Sequence, residues 1–170
     1  MARTSRFTSA GKLTLMCALA TVICAGSVRA DMSATEILKI TGVKGGLVVH
    51  LGCGNGKLTA ALWANGSYLV HGLDTNPKSI QTARKNITAL GVYGKVSVKH
   101  LTGGRLPYGD NMVNLLMAED LGGVTKDEVM RVLCPNGAAY VKQGDKWTHA
   151  VKPRPKEIDE WTHYLHGPDN

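Results

Sequence analysis

The chain has 170 residues, the size of one domain, and a formal net charge of +7. Residues 1–30 hold four of the 20 basic side chains and no acidic one, so the remainder has 16 basic against 13 acidic residues, a charge of +3. That excess is too mild to indicate binding to nucleic acid or an acidic membrane. Only Cys53 and Cys134 remain beyond residue 30, which argues against the disulfide framework of small exported domains.

The first thirty residues have the features of an export signal. Basic residues lead into a short apolar run, residues 13–25, and residues 27–30 end in the small-x-small pattern typical of cleavage sites. The apolar run is short for a membrane-spanning helix. We therefore expect a signal peptide over residues 1–30 and a periplasmic or secreted mature protein. A lipid anchor at Cys24 and a mis-assigned start in a cytoplasmic protein are the alternatives.

Strand and helix patterns alternate along the next hundred residues. Ser33 and Glu36 form a capping box that begins the first helix, and Asn76 with Pro77 begins the third. The predicted helices cover about residues 33–42, 57–64, 76–91 and 125–133, the last with a second capping box at Thr125 and Glu128. The predicted strands are residues 47–51, 68–74, 95–100, 112–118 and 138–142.

This alternation predicts an α/β fold with a doubly wound, Rossmann-like and mainly parallel sheet. Right-handed crossovers give the strand order 3-2-1-4-5, with helices on both faces. A crevice then lies at the carboxyl ends of strands one and four, where ligands bind in such sheets.

The character of the sequence changes from Gln143 onward. Residues 143–170 contain three of the six prolines and two of the three tryptophans, without an alternating apolar pattern. We interpret them as a linker or the start of a missing C-terminal domain, and residues 31–142 as the folded domain.

Three glycines at alternate positions join strand one to the second helix. Gly52, Gly54 and Gly56 allow a sharp turn and a close approach of the backbone to a ligand at the helix start. The spacing is G-x-G-x-G, whereas a dinucleotide fingerprint reads G-x-G-x-x-G and would need glycine where Lys57 stands. Each glycine alone can be a structural turn, and a nicotinamide cofactor remains the alternative ligand.

With Asp74 closing strand two, this pattern resembles the class I methyltransferases that use S-adenosylmethionine. Residues 133–137 and 105–120 resemble the family's turn before strand five and its approach to strand four. The resemblance implies S-adenosylmethionine as cofactor, a glycine loop that makes room for the methionine moiety, and Asp74 accepting hydrogen bonds from both ribose hydroxyls. The cofactor-binding residues expected on this basis are His50, Gly52, Cys53, Gly54, Asn55, Gly56, Asp74, Thr75 and Glu119.

The chain also departs from the family pattern. His50 stands where the family usually has an acid for the methionine amino group, and a neutral imidazole can accept one bond but lacks the charge. Residues 100–105 lack the acid often offered to adenine. Glu119 and Asp120 are candidates for a general base or a polar clamp, with solvated loop acids as the favoured interpretation. No catalytic residue is assigned, because methyl transfer depends mainly on alignment and desolvation.

Two functional hypotheses follow. The first is a class I S-adenosylmethionine-dependent methyltransferase with an unknown acceptor. The second is a degenerate, non-catalytic module at the front of an exported protein, indicated by the export signal and by the missing acids at His50 and after His100. Residues 157–170 resemble the junction to a β-propeller like those of pyrroloquinoline-quinone enzymes. The histidines lack the ligand pattern of a known metal site, so no metal is expected. The expected partner is a small-molecule cofactor, with neither nucleic acid nor a stable membrane span after signal removal.

Overall fold

The computed structural model describes residues 32–155, so the predicted signal over residues 1–30 lies outside the described part of the chain. The helices are α1 (Ala34–Thr41), α2 (Lys57–Ala61), α3 (Pro77–Ala89) and α4 (Lys126–Val132). The strands are β1 (Gly46–Leu51), β2 (Tyr68–Asp74), β3 (Val96–His100), β4 (Val113–Ala118), β5 (Leu133–Gln143) and β6 (Lys146–Val151).

All six strands form one sheet in the order β3-β2-β1-β4-β5-β6. The first five are parallel, which confirms the predicted order, and β6 pairs antiparallel with β5. Leu51, the last residue of β1, lies opposite Leu73 of β2 and Ala118 of β4. The loops that follow these three strands therefore meet at the carboxyl edge of the sheet.

Both faces of the sheet are buried, as expected for central parallel strands. Neighbouring residues of β1 show this directly, because Val48 and Val49 point to opposite faces and neither is exposed. Residues of α1, α2 and α3 pack on the face of Val48, and residues of α4 pack on the face of Val49. The prediction of helices on both faces is confirmed. Between β3 and β4, a loop without a helix covers part of the α4 face.

The first predicted capping box is present. The Glu36 N–H donates to Ser33 Oγ at 3.3 Å, and the Ser33 N–H donates to Glu36 Oε2 at 3.0 Å. Gly42 ends the helix in the left-handed conformation, with φ of 68°.

The second capping box is only half formed. Thr125 Oγ1 accepts the Glu128 N–H at 3.2 Å, but the Glu128 carboxylate turns to the Leu106 N–H at 2.7 Å and to the Arg131 guanidinium. The hydrogen bonds from Arg131 hold the pKa of Glu128 down to about 2. Glu128 thus attaches the β3–β4 loop to α4, a role that its spacing from Thr125 does not reveal.

The carboxyl-terminal part of the sheet differs most from expectation. β5 begins at Leu133, so residues 133–137, which were predicted as a turn, belong to the strand. The pairing of β4 with β5 shifts register between Val113 and Leu115, and Asn136 has a positive φ. β6 lies inside the segment predicted as a linker, so the sheet extends past Lys142. An edge strand with mostly exposed side chains needs no alternating apolar pattern. The division of the chain into domains stays a prediction.

Across residues 32–155, no helix has the length and apolar character needed to cross a membrane.

Candidate functional site

The loop between β1 and α2 is built from left-handed glycines. The φ angles of Gly52, Gly54 and Gly56 are 71°, 51° and 75°, a region that side chains rarely adopt. A Cβ at Gly52 would meet no atom within 4 Å, and one at Gly54 only the Gly52 carbonyl oxygen at 4.0 Å. A side chain at either position would therefore project into open space beside the loop, which glycine leaves free.

Gly56 has a different reason to be glycine. A Cβ there would lie 2.8 Å from the Cβ of Ala83, so its absence lets the loop pack directly on α3. A second contact holds the same two segments, since Asn86 Nδ2 donates to the Asn55 carbonyl at 2.9 Å. The structure thus places Gly56 and Asn55 against α3, and Ala83 and Asn86 were not recognised as site residues from the sequence.

Asp74 connects the glycine loop to the end of β2. Its Oδ2 accepts the Gly54 N–H at 2.9 Å, and its Oδ1 accepts the Asn76 N–H at 2.8 Å. The predicted closeness of Asp74 to the loop is therefore present in the structure. An ionised carboxylate has about four acceptor positions, so both oxygens retain capacity for further donors.

Thr75 is the next residue and is exposed. Its carbonyl oxygen lies 2.9 Å from His100 Nε2, and because a carbonyl only accepts, Nε2 carries the proton. This bond joins the end of β3 to the end of β2 on the carboxyl edge. The structure brings Thr75 next to Asp74, and within residues 32–155 the Thr75 side chain makes no hydrogen bond.

His50 is buried at the end of β1, with 3% of its surface exposed. Its Nδ1 lies 2.8 Å from Oγ1 of Thr59, a fully buried residue of α2. Burial lowers the pKa of His50 to about 4, against the opposing effect of the Asp74 charge. The imidazole is therefore neutral at pH 7 and cannot supply the negative charge of the acid that it replaces.

Cys53 lies beneath the loop as a buried, free thiol. Burial and the neighbouring Asp74 charge raise its pKa to about 12, so it is no thiolate nucleophile at neutral pH. Its side chain fills the space over Gly72, where a Cβ would lie 2.9 Å from Cys53 Cβ. Gly72 is thus a packing requirement of the site that the sequence analysis missed. Cys134 is also free.

Part of this site is a crevice of about 370 Å³, within the roughly 300–1,000 Å³ range of ligand sites. Gly56, Asp74 and Thr75 are not among the residues that line it. Six predicted site residues line it, namely His50, Gly52, Cys53, Gly54, Asn55 and Glu119. Glu119 is exposed at the end of β4. Asp120 accepts the Gly122 N–H at 3.1 Å, which is a turn contact. The two acids therefore differ, and Glu119 is the one that faces the crevice.

The far wall of the crevice was not foreseen. It includes Met32, from just before α1, and Trp147 of β6. The Trp147 ring stacks on Tyr140 with centroids 4.8 Å apart and planes 4° apart, and the Tyr140 hydroxyl lies 3.0 Å from Met32 Sδ. Trp147 could not be predicted as a site residue, because it lies beyond residue 142, where the last predicted strand ends.

Two of the remaining histidines make ordinary hydrogen bonds. His71 Nδ1 lies 2.7 Å from the Tyr108 hydroxyl, and His100 bonds to Thr75 as described. Within residues 32–155, no three His, Cys, Asp or Glu side chains gather into a group able to hold a metal ion.

Comparison with known proteins identifies the fold. Residues 48–137 match the family model described as a methyltransferase domain. A putative S-adenosylmethionine-dependent methyltransferase from Methanococcus maripaludis is 22% identical, with a TM-score of 0.58 over 64% of this chain and 52% of that one. A putative sarcosine dimethylglycine methyltransferase from Galdieria sulphuraria is 22% identical, with a TM-score of 0.55 over 64% of this chain and 44% of that one. A SAM-dependent methyltransferase from Aquifex aeolicus is 20% identical, with a TM-score of 0.54 over 66% of this chain and 67% of that one.

The chain spans about half the length of the first solved structures that it matches. The comparison with curated proteins finds no significant match. The family model covers residues 48–137, which is more than half of the chain. The chain belongs to the methyltransferase domain family and has its mainly parallel, Rossmann-like fold.

Proposed function

We propose that this domain binds S-adenosylmethionine beside the glycine loop and transfers its methyl group to an acceptor that remains to be identified. The observation that carries the proposal is the 2.9 Å contact between Asp74 Oδ2 and the Gly54 N–H. It brings the acid proposed to hold the ribose directly against the loop proposed to make room for the methionine moiety.

The geometry fits this cofactor. Gly52 and Gly54 leave space that a side chain would occupy, and the crevice next to them has about 370 Å³. Asp74 retains acceptor capacity on both oxygens for the two ribose hydroxyls. Thr75 and His100 stand beside it at the same edge of the sheet.

The amino-acid end of the cofactor has a rearranged charge partner. His50 is neutral and cannot attract the cofactor's ammonium by charge. In the described crevice lining the acidic residue is Glu119 and the basic residue is Lys57. We assign the ammonium to Glu119, at the end of β4, and the carboxylate of the methionine moiety to Lys57. The acid of the family pattern is then replaced from a neighbouring strand.

S-adenosylmethionine supplies a methyl group that its sulfonium already activates. The chain's own residues therefore act mainly by orienting the two reactants and excluding water. Trp147, Met32 and Met117 give the crevice apolar walls suited to that exclusion.

The neutral His50 also supports a second candidate, a binding module that has lost catalysis. Its proposed setting, an exported protein with a following β-propeller, rests on residues 1–30 and 157–170 of the sequence. Cofactor affinity separates the two candidates, because a degenerate module no longer needs to hold the cofactor.

Titration calorimetry of the full chain with S-adenosylmethionine and S-adenosylhomocysteine tests the proposal. We expect micromolar binding that Asp74→Asn weakens at least tenfold, because the ribose loses its charged acceptor. Asp120→Asn is the matched control, since it removes a nearby carboxylate that bonds only within a turn. Circular dichroism checks that each variant is folded.

No heat with either compound would contradict the methyltransferase and support the non-catalytic module. Binding of a nicotinamide cofactor instead would favour the alternative ligand.

A further inference from the structure

Positive charge is concentrated in one part of the molecule. Between Asp74 and Asp110 the sequence holds six basic residues and no acidic one, whereas residues 110–155 hold six of each. The six basic residues are Lys78, Arg84, Lys85, Lys95, Lys99 and Arg105. All six are exposed, and none forms an ion pair with any residue of the described chain. The mild net charge therefore conceals a strongly basic surface.

Five of these residues lie on α3, on the edge strand β3 or directly before β3, and Arg105 lies in the β3–β4 loop. Arg84 Nη2 donates to the Val98 carbonyl at 3.4 Å, so the guanidinium lies along the open edge of the sheet. Lys85 lines a shallow groove on the same helix with Gln81 and Thr88. Lys95 immediately precedes β3.

Exposed apolar side chains accompany the charges at the amino ends of β2 and β3. Leu69, Leu90 and Tyr93 are 51%, 60% and 52% exposed. The Val70 N–H donates to the Lys95 carbonyl at 3.0 Å, which places Lys95 beside Leu69. The Lys95 Nζ also lies 4.9 Å from the centroid of the Trp63 ring. We call the group of Leu69, Leu90, Tyr93, Lys85 and Lys95 the basic edge.

The composition of the basic edge distinguishes between polyanions. Exposed leucine and tyrosine side chains next to lysine are suited to enter the interfacial region of a bilayer while ammonium groups contact anionic headgroups. A nucleic acid would use the cations and stack on Tyr93, but it gives Leu69 and Leu90 no role. The exposed leucines therefore favour a lipid surface.

We propose that the basic edge is a peripheral binding surface for bilayers containing anionic phospholipid. Leu69, Tyr93 and Lys95 lie at the amino ends of the strands, opposite the carboxyl edge that holds the crevice, and Lys85 and Leu90 belong to α3 and its end. A docked molecule therefore keeps the crevice open to solution. The inference does not depend on cofactor binding.

Sedimentation of the full chain with vesicles tests the proposal. Vesicles of equal parts phosphatidylcholine and phosphatidylglycerol are compared with pure phosphatidylcholine at physiological salt. We expect the wild type to bind the anionic vesicles. The double variant Lys85→Gln/Lys95→Gln loses roughly fivefold in affinity for each charge removed, because each lysine near such a surface contributes about that factor. Leu90→Ser/Tyr93→Ser weakens binding too, because it removes the inserting side chains.

Lys126→Gln/Lys146→Gln is the matched control, as it removes two exposed lysines from the charge-balanced part of the chain and leaves binding unchanged. Residues 1–30 are common to all variants, so their contribution cancels. Equal binding by the wild type and both basic-edge variants would overturn the proposal. So would binding to a single-stranded oligonucleotide in place of vesicles, which would assign the surface to nucleic acid.

Discussion

At the scale of single residues, the site side chains also hold the fold together. Asp74 offers its carboxylate to two backbone N–H groups before any ligand is bound. His50 is held by Thr59 of α2, and Gly56 has no room for a side chain because Ala83 of α3 lies against it. A residue at this edge can therefore be retained for stability even where its contribution to binding has changed.

His50 gives the protein a predictable acid response. Its pKa is about 4 when folded and about 6.5 when unfolded, so the unfolded state takes up the proton first as pH falls. Stability is therefore unaffected by His50 above pH 6.5 and falls between pH 6.5 and 4. We expect a loss of about 2 kcal/mol in the free energy of unfolding between pH 7 and 4.5 that is absent in His50→Gln.

Urea denaturation at the two pH values measures this difference. His100→Gln, which removes an exposed histidine at the end of β3, is the control for the loss of an imidazole as such. An unchanged pH dependence in His50→Gln would show that the imidazole is not buried in its neutral form.

The sequence predicts site residues well where backbone conformation demands them. Glycines that need positive φ and an acid that ends a strand leave a pattern in the chain, so Gly52, Gly54 and Asp74 were recognisable. Gly72 and Thr59 were not, because their roles depend on side chains that approach from other elements.

At the scale of elements, local signals located most helices and strands, because caps and apolar runs act within a few residues. The exceptions depend on partners. Glu128 leaves the second capping box because the β3–β4 loop offers it the Leu106 N–H. β6 is a strand because β5 pairs with it, whereas its own residues, mostly exposed, carry no strand pattern.

The close packing around Gly72 of β2, under the glycine loop, leads to a prediction about stability. Replacing Gly72 with alanine would put a Cβ 2.9 Å from both Cys53 Cβ and Val98 Cγ1, and 3.1 Å from Thr59 Cγ2. Three neighbours in a filled interior have little room to move, so we expect a loss of about 1–3 kcal/mol in stability.

Thermal or urea unfolding measures the effect, and Gly66→Ala is the matched control. Gly66 has no atom within 4 Å of its Cβ position and no positive φ, so the control changes stability by no more than about 0.5 kcal/mol. Equal stability of the two variants would mean that the β2 interior is more loosely packed than described.

At the scale of the whole molecule, the crevice depends on segments far apart in sequence. Met32 and Trp147 meet through Tyr140 of β5, so the wall opposite the glycine loop forms only when β6 completes the sheet. Sequence patterns identified the half of the site nearest β1 and β2. The other half needed the three-dimensional arrangement, because nothing local to residue 147 indicates that its ring reaches the crevice.

This arrangement makes Trp147 a test of whether β6 contributes to binding. We expect Trp147→Ala to weaken affinity for S-adenosylhomocysteine about tenfold, because tryptophan is prominent among the residues whose truncation loses more than about 1 kcal/mol of binding energy. Trp147→Phe keeps an aromatic ring against Tyr140 and retains most of the affinity. Thr148→Ala is the control on the same strand, since Thr148 lies on the opposite face near α4. Calorimetry well below each variant's unfolding temperature separates affinity from stability. If Trp147→Ala is destabilised but binds as tightly as the wild type, β6 serves only to close the sheet, and the cofactor is held entirely by the β1, β2 and β4 loops.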